Sequence, residues 1–216
     1  MIQREDGEYL ATQLAAGASI SVSFPQTGGS TEYPSQTGGL VSGFSSYGPS
    51  NDFFFKPAIA APGGSILSTY PVAKGSYAVL SGTSMATPFV AGAAALLLQV
   101  NGKSSAVTSS ARTLFQTTST YVGSTQNDTD PYQTATQQGA GLINVYNALK
   151  AQTIVSPGEL SLNDTANFRP IQTFTVKNTG KSRKTYKLSH VPAGTALTIQ
   201  AVSSLRLTSE SYLTFE

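Results

Sequence analysis

The sequence predicts an α/β protein: a partial layered sheet with helices, followed by an incomplete all-β sandwich module. Three observations carry that expectation. Short strand-like runs separated by Gly and Pro turns fill the stretch from Leu40 to Leu80, two long helical patterns follow, and after Pro157 the apolar residues switch to a period of two.

Taken in order, residues Asp6 to Ala16 read as a short helix, with Asp6 placed to cap it and Leu10 and Leu14 on one face. "ASISVSF" alternates through Ile20, Val22 and Phe24, a strand pattern that Pro25 ends. Residues 26–39, rich in Gly, Pro, Ser and Thr without periodicity, read as a linker. Strand candidates then follow in "LVSGFSS", "KPAIAAPG", "SILSTY" and "YAVLSG". A helix is expected from Ser84 to Val100 and a second from Ser105 to Thr117, where Val107, Ala111, Leu114 and Phe115 form a stripe; a third, short one is expected from Val145 to Lys150. In the last stretch Phe174 and Val176 alternate, as do Tyr186 and Leu188, around the turn "KNTGKSRK", and "SYLTF" is a further strand candidate. A complete sandwich needs about seven strands and about a hundred residues, so this module is expected to be incomplete.

Composition narrows the function classes. Charged residues make up 11% of the 216, roughly half the usual share, and the net charge is +2. Such a surface is neutral and polar, and it argues against a nucleic-acid binder. The basic residues Lys181, Arg183, Lys184 and Lys187 read as a solvated hairpin end. Without cysteine there are no disulfides, thiolate metal sites or cysteine nucleophiles. No metal-ligand cluster is specific enough to name, and no cofactor is expected. The opening "MIQREDGEYL" is charged and does not read as a signal peptide. Two sequons, at Asn127 and Asn163, are glycosylation acceptors only if the chain enters a secretory pathway. The apolar stretch from Met85 to Val100 falls short of the roughly twenty residues that a membrane span needs, so no membrane partner is expected.

The stretch that carries chemistry is "LSGTSMATPFVAGAAALLL", Leu80 to Leu98. Ser84 has two readings. A serine ahead of an apolar helix is most often an N-cap, its hydroxyl accepting a bond from a first-turn amide. Alternatively, a strand, a tight turn at Gly82, a serine and a helix present a hydroxyl beside the positive end of the helix, where a developing oxyanion is stabilised. Small residues in "AGAAALLL" let the helix approach a neighbouring layer closely and hold the serine rigidly.

"GTSMATPFVAGAAALL" closely resembles the serine motif of the subtilisin-like peptidases, with Gly82 through Pro88 all matching. "FSSYGP" and "KPAIAAPGGSILST" look like the segments that precede the serine in that family. Around these, "REDGEYLATQLAAGASISVSF" is similar to the end of a protease-associated domain, and "FRPIQTFTVKNTGKSRKTYKL" to the opening of a fibronectin-like domain. The resemblance implies four segments: a protease-associated tail at 1–25, a linker at 26–39, the C-terminal part of a catalytic domain at 40–152, and the start of a fibronectin-like β domain at 153–216. It also implies a serine endopeptidase acting on protein or peptide substrates, extracellular in location. Ser84 would be the nucleophile, Gly82 and Thr83 would line the leaving-group side, and Met85 would sit beside the reaction centre. Calcium often stabilises this family.

A serine nucleophile needs a base and an orienting acid, and in the subtilisin order both precede it. No histidine precedes Ser84 in this sequence. The chain is therefore expected to be a fragment, inactive alone, with Leu96 to Leu98 left exposed. Two alternatives are weighed. One is a non-catalytic, protein-binding product. The other is an α/β-hydrolase using Ser84, an acid among Asp128, Asp130 and Asp164, and His190; against it, the elbow G-x-S-x-G is broken by Ala86.

Overall fold

The computed structural model describes residues 4–21, 23, 35, 37–161, 163–169 and 171–188, together with two strands at 204–207 and 212–215. The chain divides into two compact units, 1–36 and 37–216. The first contains helix α1, Arg4–Ala15. It begins two residues before Asp6, so Asp6 lies inside the first turn beside Glu5 and favours the helix dipole there instead of capping it. Arg4 and Glu8 pair one turn apart at 2.7 Å. The described part of "ASISVSF", residues 18–21 and 23, is not a strand, and Val22 and Phe24 lie outside the described residues.

The second unit starts irregularly. "LVSGFSS" and "KPAIAAPG" were expected as strands, but turns and prolines interrupt them, and only Ala60 bridges Leu142. That bridge is part of a three-segment ribbon in which Ala60 N donates to the Gly141 carbonyl (2.8 Å) and Leu142 N to the Thr120 carbonyl (2.7 Å). Next comes a hairpin of β1 (Ile66–Thr69) and β2 (Tyr77–Leu80), antiparallel, pairing Ile66 with Leu80 and Thr69 with Tyr77. Both coincide with the strand candidates "SILSTY" and "YAVLSG".

Helix α2, Thr83–Asn101, is followed by α3 (Ser105–Thr118), α4 (Ala135–Gln138) and α5 (Val145–Lys150). Two of them are capped as the residue types predict. The Ser104 hydroxyl accepts from Val107 N, and the Asn144 side chain accepts from Asn147 N. The core lies where these helices meet: Ala93 and Leu97 of α2, Leu114 and Phe115 of α3, Ile143, and Ala148 of α5.

On α2 the inward stripe is Ala86 and Val90, half-buried, with Ala93 and Leu97, buried, each three or four residues apart, while Ser84, Pro88, Ala91 and Ala95 form an exposed stripe on the opposite side. The exposure expected over Leu96 to Leu98 is corrected residue by residue: Leu96 is 47% exposed, Leu98 is half-buried and Leu97, at 1%, is core. Successive residues on a helix point about a hundred degrees apart, so the three could not share one environment. The helix is also longer than the apolar stretch suggested. Its 19 residues and mean hydropathy of 1.4 make it long and apolar enough, by those two measures, to cross a membrane. One of its faces is packed in the helical core described above.

Strand β3 (Thr153–Ser156) follows α5 and was not anticipated. It pairs antiparallel with β4 (Phe174–Asn178), and β4 with β7 (Tyr212–Phe215), giving the order β3-β4-β7. Strands β5 (Lys184–Lys187) and β6 (Ser204–Leu207) form a separate antiparallel pair. Just past β3, Glu159 accepts two bonds from Arg112 Nη2 (2.8 and 3.1 Å) and one from Gln116 Nε2 (2.7 Å), tying this segment to α3. Helix and strand are thus mixed, as expected, and the described strands form small antiparallel sheets.

Candidate active site

The turn that delivers Ser84 is built from backbone. Gly82 N donates to the Gly63 carbonyl at 2.8 Å, so the end of the hairpin is stitched to the chain just before its start. A Cβ on Gly63 would stand 2.7 Å from the Gly82 carbonyl oxygen and 3.3 Å from Ala86 Cβ, which leaves room only for glycine. Ser81 Oγ accepts from Ser65 N at 2.8 Å and adds a second stitch. Gly82 has φ 156° and ψ 165°, an extended conformation with positive φ that is confined almost entirely to glycine.

Gly82 is the N-cap of α2, and it makes no side-chain cap bond. Ser84 is the second helical residue, not the cap. It is exposed, and its hydroxyl makes no hydrogen bond to any described residue. The capping reading of this serine is thereby excluded. The amides around it are equally informative. Met85 N and Ala86 N bond the Gly82 carbonyl (3.0 and 3.4 Å), while those of Thr83 and Ser84 have no partner among the described residues. Two unpaired N–H groups thus lie beside an unengaged hydroxyl, at the positive end of a nineteen-residue helix. Such donors bind anions, and one aimed at a developing oxyanion contributes on the order of 3 kcal/mol in a transition state.

Thr87 Oγ donates to the Thr83 carbonyl at 2.9 Å. Pro88 lies inside the helix, in the second turn. Having no N–H, it withholds the bond that the Ser84 carbonyl would otherwise accept. Met85 is half-buried. With Pro88 it closes a hollow of about 240 Å³ whose other wall is one face of the hairpin: Ile66, Ala78 and Leu80.

Of the residues singled out from sequence, Gly82, Thr83, Ser84 and Met85 are consecutive and stay together here. The alternative acids do not join them. Asp130 accepts a bond from Thr125 Oγ1, Asp164 bonds the Asn167 side chain, and Asp128 is exposed in the same turn as Asp130. His190 lies outside the described residues. Among the described residues no group of three His, Cys, Asp or Glu is arranged to hold a metal ion. Sequence reasoning pointed to helix-start amides beside the hydroxyl, but it missed the hollow and the Gly63 contact. Only "APGG" ahead of "SGTS", glycines facing glycines, hinted at the last.

Ser84 is thus presented by a backbone-built turn at a helix start, within the motif quoted above. The chain belongs to the subtilase family, which matches residues 3–142. Over 208 residues it is 33% identical to the minor extracellular protease Vpr of Bacillus subtilis, a match covering 92% of this chain and 24% of that protein. It is 35% identical over 141 residues to pyrolysin of Pyrococcus furiosus, covering 62% of this chain and 10% of the relative. A shorter stretch of 64 residues is 53% identical to the C5a peptidase of Streptococcus pyogenes, covering 30% of this chain and 5% of that protein. The chain thus spans less than a quarter of the length of each of these relatives. Family membership sets the α/β-hydrolase alternative aside.

Proposed function

We propose that Ser84 is the nucleophile of a serine endopeptidase whose base and orienting acid are supplied by sequence outside these 216 residues. The observation that carries the reading is the exposed, unbonded hydroxyl next to the unpaired amides of Thr83 and Ser84. In this scheme the Ser84 oxygen attacks a peptide carbonyl, its proton passes to an imidazole, and the carbonyl oxygen, now negative, is held by the Ser84 amide. Gly82 and Thr83 flank the leaving-group side. The acyl-enzyme is then released by water. Substrates are proteins or peptides, and the name of the Bacillus subtilis relative, an extracellular protease, supports an extracellular setting. Residues 1–25 are proposed as the tail of a protease-associated domain, 40–152 as the C-terminal part of the catalytic domain, and 153–216 as the start of a fibronectin-like β domain.

A fluorophosphonate probe tests this directly. The purified chain should remain unlabelled at Ser84, since a site without its base retains at most about 10³ to 10⁴-fold over water. Labelling of the isolated chain would overturn the external base. A longer protein that includes preceding Asp and His motifs should label, and Ser84→Ala should abolish it; no labelling there would overturn the nucleophile. Met85 offers a second readout, because its sulfoxide would put a polar group beside the reaction centre. Peroxide should slow the longer enzyme, and unchanged turnover with Met85 shown oxidised by mass spectrometry would contradict the placement.

The exposed apolar residues of α2, Phe89, Leu96 and Val100, favour a second reading in which the chain is a protein-binding product. Binding without labelling in either protein would favour that reading.

A further inference from the structure

Residues 120–133 form an antiparallel ribbon that the peptidase reading does not use. Its arms are held by Gln133 N donating to the Val122 carbonyl (2.8 Å) and Ser124 N to the Pro131 carbonyl (2.9 Å). The tip is closed by its own side chains. Thr125 Oγ1 bonds Asp130 and accepts from Asn127 N at 3.0 Å, and Asp130 N donates to the Asn127 carbonyl at 3.0 Å. Residues 124–129 are all exposed. Within this tip Asn127 Oδ1 accepts from Thr129 N at 3.4 Å, an Asx turn that fixes the carboxamide oxygen toward its own backbone. The amide nitrogen Nδ2 makes no hydrogen bond to any described residue.

We propose that Asn127 is an acceptor for an N-linked glycan. The triplet Asn127-Asp128-Thr129 has the required hydroxyl residue two positions on and no proline between. In the transfer, the C1–O bond of a polyprenyl-diphosphate-linked oligosaccharide breaks and a C1–Nδ2 bond forms. Nδ2 loses one proton, and the lipid diphosphate leaves. A glycan at this tip displaces no packed side chain, because residues 124–129 are all exposed; the tie from the tip to a distant segment, Gln126 Nε2 donating to the Gly38 carbonyl (3.0 Å), does not involve Asn127. It also covers a small, polar, exposed loop of the kind that proteases nick first. The triplet at Asn163 differs: that residue is left-handed, with φ 66°, and no Thr165 amide bond to its side chain fixes the carboxamide.

The test is expression of the full chain behind a secretion signal in yeast, in an Asn163→Gln background so that only Asn127 can report. Both intracellular and secreted fractions are read, so poor folding cannot hide the result. The expected outcome is a slower-migrating species that peptide-N-glycosidase collapses while converting Asn127 to Asp in the tryptic peptide. Asn127→Gln and Thr129→Ala should each lose the shift, and both should be cut sooner within residues 124–130 by an added protease. An unmodified Asn127 in both fractions overturns the proposal, as does a shift that survives Asn127→Gln.

Discussion

Helices α2 and α3 lie side by side in one core, yet they are finished to different degrees. Helix α3 is amphipathic: Leu114, Phe115 and Gln116 are buried, Thr108, Ser109, Ser110 and Arg112 face out, and Ser104 caps it. Helix α2 carries only Ala93 and Leu97 fully inside, and leaves Phe89, Leu96 and Val100 between 44% and 60% exposed. A helix that is apolar all round belongs in an interior. The difference teaches that this chain completes the surroundings of α3 but only half of those of α2, and that Ser84 stands on the uncompleted half. Their starts differ in the same sense: a side chain fixes the start of α3, whereas a glycine-to-glycine backbone contact fixes that of α2.

Four substitutions break or sharpen that contrast. The largest effect is expected from Leu97→Ala, which empties a site 1% exposed and should lower stability by about 2–5 kcal/mol in denaturant titration. A loss below 1 kcal/mol would show that the α2–α3 core is not packed as described. Gly63→Ala comes next, because the added methyl meets the Gly82 carbonyl at 2.7 Å. Overpacking of this kind costs roughly 1–3 kcal/mol. An unchanged unfolding midpoint would mean that the start of α2 is held some other way. Its counterpart, Ser104→Ala, removes the cap of α3 and should cost about 1 kcal/mol by the same measurement. The smallest change in stability is expected from Leu96→Gln, within about 0.5 kcal/mol. A stability loss equal to that of Leu97→Ala would erase the distinction between the two faces.

How far these features could be read from sequence depends on how local their causes are. The end of the hairpin and the helix that follows were legible because "YAVLSGTS" contains its own short apolar run, its own turn residue and its own helix start. Helix α5 and the strands at Phe174, Lys184 and Tyr212 were legible for the same reason. Strand β3 was not: "TIVS" is too short to show a period, and its pairing partner, β4, lies about twenty residues on. Conversely, "KPAIAAPG" has strand-like composition, but its prolines cannot donate to a ladder, and the structure gives it a single bridge. At the site, Ser84 and its neighbours were found by motif. The hollow was not, since it needs residues from two strands and a helix to lie on the same side. Leu96, Leu97 and Leu98 were grouped because they are adjacent in sequence, and a helix separates adjacent residues.

The bond from Gly82 N to the Gly63 carbonyl clamps the base of a loop whose tip lies at residues 71–76. The tip lies beyond the strands that wall the hollow beside Met85, so the backbone hold on the start of the serine's helix does not run through it. Lengthening the tip by a few residues adds only about 0.6 kcal/mol for each doubling of loop length. A longer or shorter finger would thus leave the hydroxyl at position 84 on its bearing.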